Sequence, residues 1–301
     1  MFKPKRTEEI VINVKPFEEL TKETIENSIK LIDYFKFNLI YLLLVSGKGL
    51  EFEQIQDYIP GDDTRRIDWK IFARTRELMV RKFKEERTFD VIIAIDVSNS
   101  MLLGTTRYTK NQYAALAAGA LSFAATEAND NPALALFSNK VKLFLDPDND
   151  FSRILNVLSD KNNYGGQKSW AEFTNLLISN YDQQSILFLI SDFIDTDVDR
   201  FLPELASYFS KVYGIMIRDP IEEKLPKNIG RVYIKDTEGK NVYLIDTTKL
   251  SEEYEVLCKR EIEKIREAFH ESGQLFFKVD LNERFDISFF KAFGSEEVEL
   301  S

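Results

Sequence analysis

Phe89-Asp90-Val91-Ile92-Ile93-Ala94-Ile95-Asp96-Val97-Ser98-Asn99-Ser100-Met101 is the stretch whose reading decides the fold. The unbroken apolar run from Val91 to Ile95 reads as a strand buried on both faces, as in a parallel sheet covered by helices. It ends at an aspartate followed, at steps of two, by two serine hydroxyls. Ligands of open α/β sheets bind in the crevice at the carboxyl ends of the strands, so this loop is the first candidate site. One carboxylate and two hydroxyls are hard oxygen donors, suited to Mg²⁺ or Mn²⁺ and not to zinc. The hydroxyls would coordinate directly, and Asp96 directly or through water. Mg²⁺ keeps several waters, which leaves a position for a partner's carboxylate. The competing reading is that Asp96 caps the next turn and the serines satisfy loop amides.

From Phe89 onward, strands and helices alternate, which predicts a mainly parallel sheet with helices on both faces. A helix over 108–129 carries an Ala-rich middle fit for close packing. Strands follow over 132–137 and 141–145. Helices over 151–158 and 170–178 flank a loop containing Gly165-Gly166. Another buried strand, 185–190, ends at Ser191-Asp192. Asp195, Asp197 and Asp199 come next and are expected to cap a helix over 201–209 and stay solvated. A strand over 212–217, a hairpin of 232–235 with 241–245, a helix over 252–270, a strand over 275–279 and a helix over 284–293 complete the pattern. Tyr254, Leu257, Cys258, Ile262, Ile265 and Phe269 form an apolar stripe on the 252–270 helix.

Upstream, 21–35 reads as an amphipathic helix capped by Thr21, and 37–45 as a buried element of undecided type. Pro60-Gly61-Asp62-Asp63 is a turn whose aspartates cap a helix carrying Ile67 and Ile71 on one face. Residues 78–84 read as a strand leading into the one that ends at Asp96. The expected fold is thus α/β: a doubly wound, mainly parallel sheet over 89–301, preceded by an α+β extension over 1–88.

Composition narrows the functional classes. With 24 Phe and 12 Tyr in 301 residues the chain can fill a core, while 8 Pro and 12 Gly argue against long disordered linkers. The single Cys258 excludes an internal disulfide and a Cys-based zinc cluster, and the single His270 excludes paired-His metal sites. His270 falls near the end of its helix, where a cation favours the dipole. No apolar signal core follows Met1, and the longest uncharged apolar run, 37–45, is far short of the ~20 residues a membrane helix needs. A cytoplasmic location without membrane insertion is the expectation. The net charge of −10 disfavours nucleic acid as a partner, although 64–88 holds nine Lys or Arg against four acids.

Asp96-x-Ser98-x-Ser100 after a hydrophobic strand resembles the metal-ion-dependent adhesion site of von Willebrand factor A domains. Gly49-Leu50-Glu51-Phe52, Tyr58-Ile59-Pro60-Gly61-Asp62-Asp63-Thr64-Arg65-Arg66-Ile67-Asp68-Trp69 and Ala73-Arg74 resemble the signature of the bacterial and archaeal domain of unknown function 58 family. Its members look like von Willebrand A domains with an N-terminal extension, and the resemblance runs from about Gly47 to the C-terminus. It implies a partnership with a MoxR-type AAA+ ATPase. It also implies that the metal site draws on three loops, with Asp192 in the third. The second loop of such domains gives a threonine after a glycine pair, but here Gly165-Gly166 precedes Gln167, Lys168 and Ser169. Ser169 would substitute with a shift of one residue. Alternatively, Lys168 would bring an ammonium that competes with the metal.

Three classes of function compete, the last a nucleic-acid binder using the basic segment after Pro60, against which overall acidity and the lack of a recognised module argue. The first is a non-enzymatic interaction module: an adaptor for a MoxR-type ATPase and an unidentified client. It would use Asp96, Ser98, Ser100, Asp192 and Ser169 with Mg²⁺ or Mn²⁺. Asp62, Asp63, Arg65, Arg66, Asp68 and Trp69 would form a further partner surface or a salt-bridged clamp for the extension. The second is a metal-dependent phosphoryl-transfer enzyme with Asp96 as nucleophile. Haloacid-dehalogenase-type phosphatases place a second acid two residues on, and here that position is Ser98, so the leaving group lacks a proton donor. No phosphate-binding Walker loop is present, and no base accompanies either serine. The first class is the best supported.

Overall fold

The structure, a computed structural model, describes residues 25, 26, 41, 45, 54–58, 69–82, 88–138, 141–167, 169–226, 230–235 and 242–294. Strand β1 (Gln54–Asp57) and strand β2 (Met79–Lys82), with helix α1 (Trp69–Thr75) between them, pair antiparallel as a separate two-stranded sheet. β2 therefore does not extend into the main sheet, and β1 was not expected from the pattern. The main sheet is built from β3 (Asp90–Asp96), β4 (Asn131–Phe137), β5 (Val141–Leu145), β6 (Ile186–Ser191) and β7 (Lys211–Arg218). After a hairpin of β8 (Arg231–Lys235) and β9 (Val242–Asp246), β10 (Leu275–Asp280) joins it as the sixth strand. The order is β10-β7-β6-β3-β4-β5, parallel throughout except for β5, which runs antiparallel along β4 at the edge.

Strand alternation sorts the core into two layers. Val91, Ile93 and Ile95 face helices α2 (Lys110–Glu127) and α3 (Phe151–Leu158), together with Ile25, Tyr41 and Val45 of the N-terminal region. Ile92 and Ala94 face the opposite layer: α4 (Trp170–Asn180), α5 (Val198–Tyr208) and, after the one-turn α6 (Pro220–Glu223), the long α7 (Thr247–Glu271). Helix α8 (Phe285–Gly294) returns to the first layer through Phe285, Phe289 and Phe293. Ala114, Ala115, Ala117, Ala118 and Ala120 of α2 are all buried, so the helix lies close against the strands. It stops at Glu127, two residues short of the expected end, because Asn129 takes a left-handed conformation (φ 59°) that asparagine tolerates.

Helix α7 begins at Thr247 and not at Glu252. Asp246 ends β9 and caps the helix directly, its carboxylate accepting from Thr248 N at 3.2 Å. Leu257, read as part of the buried stripe, is 55% exposed, whereas Cys258 beside it is buried and donates its thiol to Glu222 O. Asp197 occupies the cap position of α5 without a side-chain capping bond, and Asp199 pairs instead with Lys264 Nζ at 2.6 Å. Among the described residues no helix is long and apolar enough to cross a membrane.

The N-terminal region is tied to the sheet by a buried polar contact. Tyr41 donates its hydroxyl to Asp130 Oδ2 at 2.8 Å, and Phe89 N donates to Asp130 Oδ1 at 2.8 Å. Tyr41→Phe leaves that carboxylate short of a donor and is expected to cost about 1–2 kcal/mol in urea unfolding. Burial pushes the Asp130 carboxyl up, against the lowering effect of its two donors. An acid raised in the folded state contributes stability that is present below its unfolded pKa of about 3.9 and lost as pH rises through the folded value. Asp130→Asn, which keeps an acceptor, is expected to flatten that decline.

Candidate functional site

The chain leaves β3 towards the layer of α2 and leaves β6 towards the layer of α5. The crevice between the carboxyl ends of these adjacent parallel strands is therefore the topological switch point of the sheet, where open α/β folds bind ligands. Asp96 is the last residue of β3, and Asp192 is the first residue after β6. Register places Ile95 beside Ile190, which brings Asp96 next to Ser191.

Asp96 is fully buried and held at both carboxylate oxygens. Its Oδ1 accepts from Ser98 N at 2.9 Å and its Oδ2 from Ser191 Oγ at 2.7 Å. Ser191 Oγ in turn accepts from Phe193 N at 3.0 Å, which fixes the turn after β6. Ser98 Oγ and Ser100 Oγ lie 3.1 Å apart, both buried. The second loop contributes main chain. Asn99 N donates to Gly166 O at 2.7 Å, Gly166 N donates to Asn99 Oδ1 at 2.9 Å, and Gly165 N donates to Val97 O at 2.7 Å. The glycine pair is required here because Gly165 and Gly166 have φ of 95° and 120°, which side chains rarely allow.

A lysine completes the cluster. Lys110, the first residue of α2, is wholly buried, and its Nζ donates to Asp192 Oδ2 at 2.8 Å and to Glu222 Oε1 at 2.5 Å. Asp192 Oδ1 accepts from Ile194 N at 3.0 Å, and Asp192 O accepts from Arg218 Nε at 2.9 Å. Burial pushes the Glu222 carboxyl up from the ordinary range, and the Lys110 ammonium opposes that rise. Glu222 belongs to the capping box of α6, where its Oε2 accepts from Asp219 N at 3.0 Å. Asp219 holds the loop before α2 by accepting from Thr105 N at 2.6 Å. The three loops are thus cross-linked to α6, and Tyr254 and Cys258 of α7 both donate to Glu222 O.

The donor set fits a divalent cation only in part. An octahedral Mg²⁺ with ligands at 2.0–2.1 Å sets adjacent oxygens about 3 Å apart, and the Ser98–Ser100 separation of 3.1 Å matches. Asp192 does not match. Its Oδ2 holds an ammonium and its Oδ1 a main-chain N–H, so a resident divalent ion would share this carboxylate with a buried positive charge. That mismatch departs from the expected Mg²⁺ or Mn²⁺ centre.

Asp96, Ser98 and Ser100 share the end of β3 and the loop after it, and Asp192 follows the neighbouring β6. Ser169 stands at the N-cap of α4, half-buried, and among the described residues no hydrogen bond joins it to these four. Lys168, the other candidate in that loop, lies outside the described residues, as do Asp62, Asp63, Arg65, Arg66 and Asp68. Trp69 opens α1. Sequence reasoning missed Lys110, Ser191, Asn99 and Glu222. The one signal for Lys110 was a lone cation heading an Ala-rich helix.

The protein family described as "Protein of unknown function DUF58" matches residues 54–264, more than half of the chain. Uncharacterized proteins of Mycobacterium bovis and Mycobacterium tuberculosis are 37% identical over 83 residues, covering 28% of this chain and 26% of theirs. The chain thus spans about a quarter of the length of these curated relatives. Two solved structures are similar at a lower level. An aerotolerance-related membrane protein from Bacteroides fragilis aligns over 69% of this chain and 99% of its own, with 16% identity and a TM-score of 0.47. The PilB minor pilin from Streptococcus sanguinis aligns over 73% and 63%, with 14% identity and a TM-score of 0.38.

Proposed function

We propose that this chain, which belongs to the DUF58 family of proteins of unknown function, is a non-enzymatic protein-interaction module. In this reading it is a von Willebrand A-like adaptor that works with a MoxR-type AAA+ ATPase on a client protein in the cytoplasm. The extension up to residue 88 supplies a further partner surface around Asp62, Asp63, Arg65, Arg66, Asp68 and Trp69. The observation that carries the proposal is the convergence of Asp96, Ser98, Ser100 and Asp192 at the switch point as an adhesion-like cluster without the parts of a catalyst. Both oxygens of Asp96 are occupied by donors, which makes it a poor nucleophile, and the position two residues on is a buried serine.

Because the cluster is buried, partner contact falls to the rim of the same loops, where Arg107, Gln167 and Asp195 are exposed. A purified MoxR-type ATPase is expected to be retained by the immobilised chain. The charge reversals Arg107→Glu and Asp195→Lys together should weaken retention about tenfold, equivalent to about 1.4 kcal/mol. Retention unchanged by the reversals would contradict the rim assignment. Absence of retention, combined with hydrolysis of a simple phosphate ester that Asp96→Asn abolishes, would instead favour the phosphoryl-transfer reading.

A further inference from the structure

We infer that Lys110 is the resident cation of this site, so that its ammonium stands in the electrostatic role of a divalent metal and the loops close without one. A lysine at the first position of a helix meets the positive end of the helix dipole, so local structure does not account for it. The tertiary surroundings do. The ammonium has no exposed surface, and two of its donors are placed on Asp192, from the loop after β6, and on Glu222, from α6. One compact positive charge with three donors thereby joins the start of α2 to the loop after β6 and to α6, without needing a full set of oxygen ligands.

The second loop is consistent with this assignment. Where a hydroxyl ligand is expected after the glycine pair, the loop instead docks through its main chain onto Asn99, which secures it without a metal bond. Glu222 adds a further indication. It is a carboxylate of α6, just after β7, and its Oε1 accepts from the ammonium. The hydroxyl pair of Ser98 and Ser100 retains the spacing of a coordination edge, so part of a metal site persists beside the ammonium.

Removing the ammonium should therefore create metal binding. Thermal melts of the full chain, run in EDTA and in millimolar Mg²⁺ or Mn²⁺, test this without any partner, so the outcome is independent of the ATPase proposal. The wild-type midpoint is expected to be the same in all three buffers. Lys110→Ala should melt lower in EDTA and regain a few degrees in Mg²⁺ or Mn²⁺, and Lys110→Ala combined with Asp192→Asn should lose that gain. A wild-type midpoint that rises with either metal, with the rise abolished by Ser98→Ala, would overturn the inference. So would a Lys110→Ala chain that melts like wild type in EDTA. If Lys110→Ala fails to fold, elemental analysis of wild-type protein purified without chelator decides. Much less than one Mg or Mn per chain supports the inference, and one per chain overturns it.

Discussion

Lys110→Met is expected to lower the stability of the chain by about 3–5 kcal/mol, because it removes the buried ammonium that Asp192 and Glu222 share. The methionine stem fills much of the lysine volume, so the loss reports charge and not a cavity. Asp192 is the more deeply buried of the two, with no exposed side-chain surface, while the Glu222 side chain retains 13%. Adding Asp192→Asn to Lys110→Met should restore part of the stability, since an amide oxygen still accepts from Ile194 N and brings no charge. Urea unfolding monitored by circular dichroism measures both effects. A cost below about 1 kcal/mol would place Lys110 among ordinary surface pairs and contradict its role as the keystone cation.

Phe269→Ala should cost a similar amount, about 3–5 kcal/mol, for a different reason. Phe269 of α7 is fully buried, with its ring centroid 5.3 Å from that of Phe276 and 5.9 Å from that of Phe193. The ring also lies over Gly214 of β7, where a Cβ would come within 2.5 Å of the Phe269 Cζ. Gly214→Ala is expected to cost about 1–3 kcal/mol through overpacking. Combining Gly214→Ala with Phe269→Leu should cost less than the sum of the single changes, because the smaller side chain makes room for the methyl. Additive costs would show that the ring does not meet the glycine as the structure places it.

The half of the site that follows strand ends was legible in the sequence. A continuous apolar run locates a buried parallel strand, and the residue that breaks the run marks its carboxyl end, so Asp96 and Asp192 could both be placed. Ser98 and Ser100 came with the first of these. What escaped was set by long-range geometry. Lys110 and Glu222 are 112 residues apart, and only the packing of α2 and α6 over the sheet edge brings them together. Ser191 became a donor to Asp96 through the β3–β6 register, which no local pattern encodes.

Periodicity misled in a similar way at Leu257. The stripe correctly identified Cys258, Ile262, Ile265 and Phe269 as buried, but it is Cys258 that meets α6, through Glu222 O, and Leu257 faces outward. The start of α7 was missed because its first turns, from Thr247, are mostly polar and their one large apolar residue before Tyr254, Leu250, is exposed and sets no stripe. The edge pairing of β4 with β5 joins the two strands read over 132–137 and 141–145.

Calorimetric titration of Mg²⁺, and then Mn²⁺, into wild-type chain stripped of metal tests most directly whether the cation of this site is built in. With the Lys110 ammonium already on Asp192, only heats of dilution are expected. Saturable binding of one ion per chain, lost in Ser98→Ala and in Asp96→Ala, would contradict it and restore a metal to the centre of the site.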